Sequence, residues 1–332
     1  MLRDFLESPA LTLLALLLFA LGAMGMLADK DSLTMDELAH IPAGYGYVHE
    51  LDFRLNPEHP PLLKALSALP LALSGKEFPT NSPAWTSEIN GQWDMGREFI
   101  YGSGNNANAL IFLARQGPIL ITLLLILSLG LWGISLLGPR WGLLPAILLA
   151  FSPTILAHGH YVTTDISAAL GFALSIITFL RAIERPSVLR ILLSGLAFGI
   201  AQSSKFSAVL LVPVLGLIAL AAFLVRFPET ISRGKAILRA FGIAILTGVI
   251  GIVFVVYPLY AVFVSHYPIE KQTADTISIL GSFAGGAPGY GEDCHGLRCA
   301  AEATIELTRH KITRPLGEYA LGILMVMQRS EG

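Results

Sequence analysis

Charged residues are scarce in this 332-residue chain. Asp, Glu, Lys and Arg make up 14% of it, against about 25% in an ordinary soluble domain. A water-exposed surface cannot be covered with so few, which argues against a soluble globule. The charges that exist cluster at 28–115, 181–190, 226–239 and 266–332. The net charge is -2, so the chain has none of the basic excess that nucleic-acid binding needs. No internal repeat is visible. No clean small-x-small cleavage site follows the first apolar stretch, and Arg3 ahead of it is accompanied by Asp4 and Glu7. That stretch therefore reads as an uncleaved helix rather than a signal peptide. Only two cysteines are present.

Hydrocarbon fills the rest: 54% of the residues are hydrophobic. Apolar stretches lie at 9–27, 110–137, 141–157, 166–183, 189–204, 205–225 and 238–264. Each is long enough to cross, or nearly cross, a ~30 Å hydrocarbon core as a helix. The expected fold is an all-α polytopic membrane protein with about seven transmembrane helices. The stretches at 141–157 and 189–204 are short, and Pro145 and Pro153 interrupt the first of them. Basic residues set the orientation. A cytoplasmic N-terminus puts Arg3, Arg140, the group Arg181, Arg185 and Arg190, and the group Arg226, Arg233, Lys235 and Arg239 inside. The outer loops then carry little beyond Lys205.

Residues 28–109 become one large outer loop. Asp31 to His40 reads as a capped helix. Asn56-Pro-Glu-His-Pro-Pro-Leu62 reads as a turn, and Leu62 to Leu73, with Lys64, as a helix lying on the membrane surface. Residues 74–109, with Trp85 and Trp93, read as an irregular interfacial loop. A second outer segment covers 265–332, with a Gly-rich stretch from Gly281 to Gly291. Cys294 and Cys299 fall there, where an oxidising compartment permits a disulfide. Free thiols, or a metal site with His295, are the alternatives.

Four carboxylates reach the outer rim at one depth: Asp36 and Glu37 beyond the first helix, Glu58 in the Pro-rich turn, and Asp165 at the mouth of a later helix. Singly, Asp36 and Asp165 also read as helix caps. Held together at one level, the four point to a shared site. Lys205 lies between two apolar stretches beside Ser203 and Ser204. It could snorkel to the interface, or hold a phosphate. His40, His59, His158 and His160 share the layer, and Asp36 and His40 stand four apart on one helix face. Glu58, Asp165 and His40 are candidate ligands for a divalent cation, Mg²⁺ or Mn²⁺.

Asp36-Glu37, followed by Asp52-Phe-Arg-Leu-Asn-Pro-Glu-His-Pro-Pro-Leu62, resembles the first outer loop of the protein O-mannosyltransferase and aminoarabinose-transferase group, of the GT-C class of membrane glycosyltransferases. Ser152 to Asp165 resembles its second acidic motif, and Gly195 to Lys205 the following helix with a phosphate-facing Lys. His310 to Tyr319 resembles a later outer loop. The resemblance implies a GT-C type transmembrane catalytic module over 1–264 with its outer loop at 28–109. Residues 265–332 would be an outer loop or tail. Members of that group are usually longer, so the chain is expected to be an N-terminal portion that continues into further helices.

The resemblance further implies a sugar donor carried on a polyprenyl phosphate, with a protein, lipid or glycan acceptor. The site would face the periplasmic or extracellular side of the cell membrane. Asp36, Glu37 and Asp165 would be catalytic, with Asp36 as a partly buried base and Glu37 bracing the loop. Lys205, Glu58 and His59 would hold the donor phosphate. The leaving phosphate departs as a stable anion, so one base and one cationic centre suffice. A transporter or flippase of lipid-linked intermediates is the alternative, but such proteins place their polar groups at the midplane rather than at one rim.

Overall fold

The computed structural model describes residues 8–225, 232–285 and 294–331. Arg3, Asp4, Glu7, Arg226 and the 286–291 part of the Gly-rich stretch lie outside them. The described residues form helices and no strand. An all-α polytopic membrane fold results, since a helix satisfies its own backbone in hydrocarbon. Among the described residues, four helices are long and apolar enough to cross a bilayer: Pro9–Lys30, Ala107–Pro139, Asp165–Glu184 and Arg233–Phe263. Val188–Gln202 and Phe206–Ala221 are apolar but shorter. The stretch at 141–157 does not form one helix. It breaks into Leu144–Ala150 and Pro153–His158. Pro153 cannot donate to a preceding turn, and Ser152 caps the new helix by accepting from the Ile155 N–H.

By packing, the chain divides into two compact units: 1–33 with 115–251, and 34–114 with 252–332. Segment 265–332 thus shares a unit with most of segment 28–109.

In the first unit, small residues let helices meet backbone to backbone. A Cβ on Gly171 would lie 2.7 Å from Ala201 Cα, so Asp165–Glu184 and Val188–Gln202 cross there in direct contact. Gly251 faces the carbonyl of Gly195 in the same way, and Ser194 Oγ meets Thr247 Oγ1 at 3.0 Å in the buried crossing. Hydrocarbon offers no hydrophobic drive for helices to associate, so close approach and buried hydrogen bonds have to supply it. The C-terminal end of Pro9–Lys30 is held by Arg115, which is fully buried. Its guanidinium donates to the carbonyls of Ala28, Asp31 and Ser32 at 3.0, 2.8 and 2.9 Å. Helix-end carbonyls have no partner within the helix, and Arg115 supplies one. Asp31 accepts from the Tyr161 hydroxyl at 2.8 Å and pairs with His160 at 3.0 Å. The Tyr161 hydrogen bond in particular holds its carboxyl below the usual carboxylate range.

The second unit is built on aromatic residues, with Tyr47, Phe53, Trp85, Tyr260 and Tyr267 in one cluster. Tyr47 and Phe53 stack with centroids 4.3 Å apart. The capped helix expected over Asp31 to His40 runs instead from Met35 to Tyr45, because Thr34 rather than Asp31 is its N-cap. Thr34 and Glu37 close it with a reciprocal capping box. Leu62–Leu73 is a helix over the expected residues. Gly44 lies so close to the Lys64 carbonyl that no Cβ could fit between these two helices. Residues 74–109 are not irregular throughout, because Pro83–Thr86 and Gln92–Arg97 are short helices and Ala107–Ala114 begins a span. Cys294 and Cys299 are joined as a disulfide, with their Cα atoms 5.0 Å apart.

Arg115→Met should leave three carbonyls at the helix end without their donor and cost about 3 kcal/mol or more. Arg115→Lys, with a single ammonium in place of the fork, should recover part of that. Thermal unfolding of the purified variants in detergent checks both. An Arg115→Met chain melting like wild type would contradict this account of the helix end.

Candidate active site

The Pro-rich turn of the second unit is assembled around a buried ammonium. Lys64 is 1% exposed. Its Nζ donates to the Asn56 carbonyl at 2.9 Å, Asn56 Oδ1 at 2.6 Å, the His59 carbonyl at 2.8 Å and the Tyr47 hydroxyl at 2.9 Å. It also sits 4.9 Å from the Tyr47 ring centroid. Burial pulls the Lys64 ammonium well below its ordinary range, opposed first by the Glu58 carboxylate. Asn56 takes the left-handed φ of 55° that the turn needs, a conformation Asn tolerates better than most residues. Its N–H donates to Asn90 Oδ1 at 2.7 Å, and its side-chain amide bonds Gln92.

Glu58 follows on this turn and is 2% exposed. Its carboxylate accepts from Gln92 Nε2 at 2.7 Å, Asn90 Nδ2 at 3.1 Å and Arg329 Nη2 at 2.9 Å. Burial is the largest single influence and pushes its pKa up. The Gln92 amide, a backbone N–H, Arg329 and Lys64 outweigh it and hold Glu58 below the ordinary range. His59 is half-buried, and its ring meets buried His40 edge to face at 5.1 Å.

Asp36 and Glu37 divide sharply. Asp36, expected to be partly buried, is exposed, because it lies in the solvent-facing first turn of Met35–Tyr45. Glu37 is fully buried, and its Oε2 accepts from the Thr34 N–H at 2.9 Å and the Thr34 hydroxyl at 3.1 Å. The adjacent residues point about 100° apart around the helix. Asp36 is therefore open to a substrate, and Glu37 closes the cap that holds Asp36 in place.

In the first unit, Lys205 and Asp165 form an ion pair, with Nζ 2.5 Å from Oδ1. Asp165 opens the helix Asp165–Glu184 and is exposed. Lys205 sits in an extended residue between Val188–Gln202 and the turn Phe206–Leu210. Its two serines turn inward. Ser203 and Ser204 are fully buried, and Ser204 donates to the Ile200 carbonyl at 2.8 Å, so neither stands beside the ammonium at the surface. His158 is exposed and His160 buried on Asp31.

Among the described residues, no three His, Cys, Asp or Glu side chains gather as a metal site. Glu58 spends its oxygens on two amides and a guanidinium. Three groups have roles that their place in the sequence does not reveal. Lys64 stands in a helix that reads as a surface one, Arg329 lies 271 residues from Glu58, and Glu318, within the His310–Tyr319 motif, lies 46 residues from Gln272. Glu318 is 1% exposed and accepts from Gln272 Nε2 at 2.6 Å. Burial, with Asp52 and Asp275 nearby, pushes its pKa up to about 8 against an opposing influence from Gln272 and Arg314.

Folding thus keeps a proton on Glu318 that the unfolded chain gives up near its ordinary value of 4.5. The resulting stability is full below about pH 4.5 and is lost as pH rises toward about 8. Glu318→Gln mimics the protonated acid. Its melting temperature should fall less steeply between these limits and exceed that of wild type at about pH 9 by several degrees. Equal slopes in the two proteins would contradict a buried neutral Glu318.

A sequence model of the family described as dolichyl-phosphate-mannose-protein mannosyltransferase matches residues 107–259. The matched stretch contains Asp165 and Lys205, while Asp36, Glu58 and His310–Tyr319 fall outside it. Among curated proteins and solved structures, none matches the chain. The family match implies a membrane glycosyltransferase of the mannosyltransferase type.

Proposed function

We propose that the chain transfers a sugar from a polyprenyl-phosphate donor to an acceptor hydroxyl on the non-cytoplasmic face of the cell membrane, inverting the anomeric carbon. The observation that carries this reading is the Lys205–Asp165 ion pair at the mouth of a candidate span, inside the stretch matched to the mannosyltransferase family. A donor with a polyprenyl tail keeps its phosphate at the bilayer boundary, where such a pair can meet it.

The chemistry needs little else. The acceptor oxygen forms a bond to the anomeric carbon while the bond from that carbon to the phosphate oxygen breaks. The electron pair stays on the phosphate, which leaves as a monoester. Lys205 neutralises the charge that develops there, and Asp165 orients the ammonium. Asp36, exposed in the first turn of its helix, takes the acceptor proton. Glu37 acts through the capping box rather than on substrate. Glu58 and His59 would present the Pro-rich turn to the donor phosphate. The acceptor is a hydroxyl of protein, lipid A or another glycan.

A radiolabelled polyprenyl-phosphate sugar supplied to the full chain in liposomes should yield labelled acceptor. Asp36→Asn should lower turnover by at least about 10²-fold while donor binding persists. Lys205→Ala should lower it by about 10²–10³-fold, with partial recovery in Lys205→Arg. If Asp36→Asn kept near-normal turnover and Glu37→Gln were dead, the base would be Glu37. Undiminished turnover in both would remove this loop from the chemistry.

The basic groups at 181–190 and 233–239 argue for the orientation. Exposed positions 187 and 81 test it. Ser187→Cys should resist an impermeant thiol reagent in intact cells, and Asn81→Cys should react. The reverse pattern would invert the topology.

A further inference from the structure

A cavity of about 650 Å³ in the second unit is not used by the chemistry above. One wall is apolar, formed by Tyr257, Ala261 and Val264, where the candidate span Arg233–Phe263 ends. Exposed Val262 and Ile312 lie beside it, and the Tyr257 hydroxyl donates to the Ile312 carbonyl at 3.0 Å. The polar part of the lining carries two basic side chains, Lys311 and Arg314, with His266 and Glu270.

Arg314 is the most informative of these. It is 5% exposed, and its guanidinium makes one protein hydrogen bond, to the Tyr267 carbonyl at 2.6 Å. Among the described residues it makes no ion pair, although Glu318, Asp52 and Glu270 act on it from farther off. A buried guanidinium without a carboxylate fork is costly, and it is shaped to grip a phosphate with two donors. Two helices also begin at this cavity. Arg314 and Pro315 open one, and Ile269 and Glu270 open the other, which has no side-chain cap. Their positive dipole ends add to the same field. Glu270 is the single carboxylate on the lining. It disfavours a bare polyanion and suits a headgroup that carries hydroxyls or an amine beside its phosphate.

We propose that this cavity binds the phosphate headgroup of a phospholipid, with Arg314 and Lys311 on the phosphate and the acyl chains leaving along Tyr257, Ala261 and Val264. The site is independent of sugar transfer. It would fix the second unit to the bilayer at the end of the span.

Native mass spectrometry of the full chain in detergent tests this, with phosphatidylglycerol and a diacylglycerol of the same chains as probes. The phosphatidylglycerol should stay bound and the diacylglycerol should not. Lys311→Gln and Arg314→Gln should each weaken retention about tenfold. Arg309→Gln, outside the lining and paired with Glu306, should leave it unchanged. Lys311 is exposed, so its variant folds even if the buried Arg314→Gln does not. Equal retention of diacylglycerol, or wild-type retention in Lys311→Gln, would overturn the proposal. So would displacement by millimolar inorganic phosphate, which would make the site one for free phosphate. Preferential displacement by polyprenyl phosphate would give the cavity to the sugar donor's carrier instead and equally overturn it.

Discussion

The second unit depends on one buried charge. Lys64 brings an ammonium into an aromatic core, and such a charge is tolerated only if its donors are spent. The Asn56 and His59 carbonyls, Asn56 Oδ1 and the Tyr47 hydroxyl take them. Those acceptors lie on the Pro-rich turn and on the segment that follows Met35–Tyr45, so one side chain fixes both. Glu58 is then presented with its carboxylate already engaged, and its negative charge offsets the ammonium. Arg115 does comparable work in the first unit, where its guanidinium gathers three carbonyls at the end of Pro9–Lys30.

Environment separates acids that look alike in the sequence. Glu37 is buried in a capping box, Glu58 in a net of amides, and Glu318 in a pocket that keeps it protonated to about pH 8. Asp36 and Asp165 are exposed. A proton acceptor must reach its substrate, which favours the exposed pair for chemistry and leaves the buried acids to shape the loops. The proposed division of labour follows from that contrast, with Asp165 tied to Lys205 and Asp36 open.

Local signals were legible where the physics is local. The polar run from Asp31 into an apolar stretch announced a capped helix, though its cap is Thr34 and not Asp31. The apolar run with its Pro-rich prelude announced Leu62–Leu73, and apolar length announced the four full crossings. Lys205 stands out because the membrane tolerates an ionisable group mainly where it pairs or works, and Asp165 because it shares one depth with three other acids. What stayed hidden depends on distant partners. Lys64 donates largely to backbone carbonyls, which no residue identity reveals. Glu58 meets Arg329 across 271 residues of sequence. The inward turn of Ser203 and Ser204 depends on how their helix packs.

The central claim is sugar transfer from a lipid phosphate with a single displacement at the anomeric carbon. Product analysis by ¹H and ³¹P NMR tests it most directly. The purified full chain would be given a polyprenyl-phosphate sugar of known anomeric configuration and a hydroxyl acceptor. The account predicts one equivalent of polyprenyl phosphate monoester per glycosidic bond, with the anomeric configuration inverted. A retained configuration would contradict the single displacement, and lipid-linked sugar recovered intact on the opposite leaflet would make the chain a flippase instead.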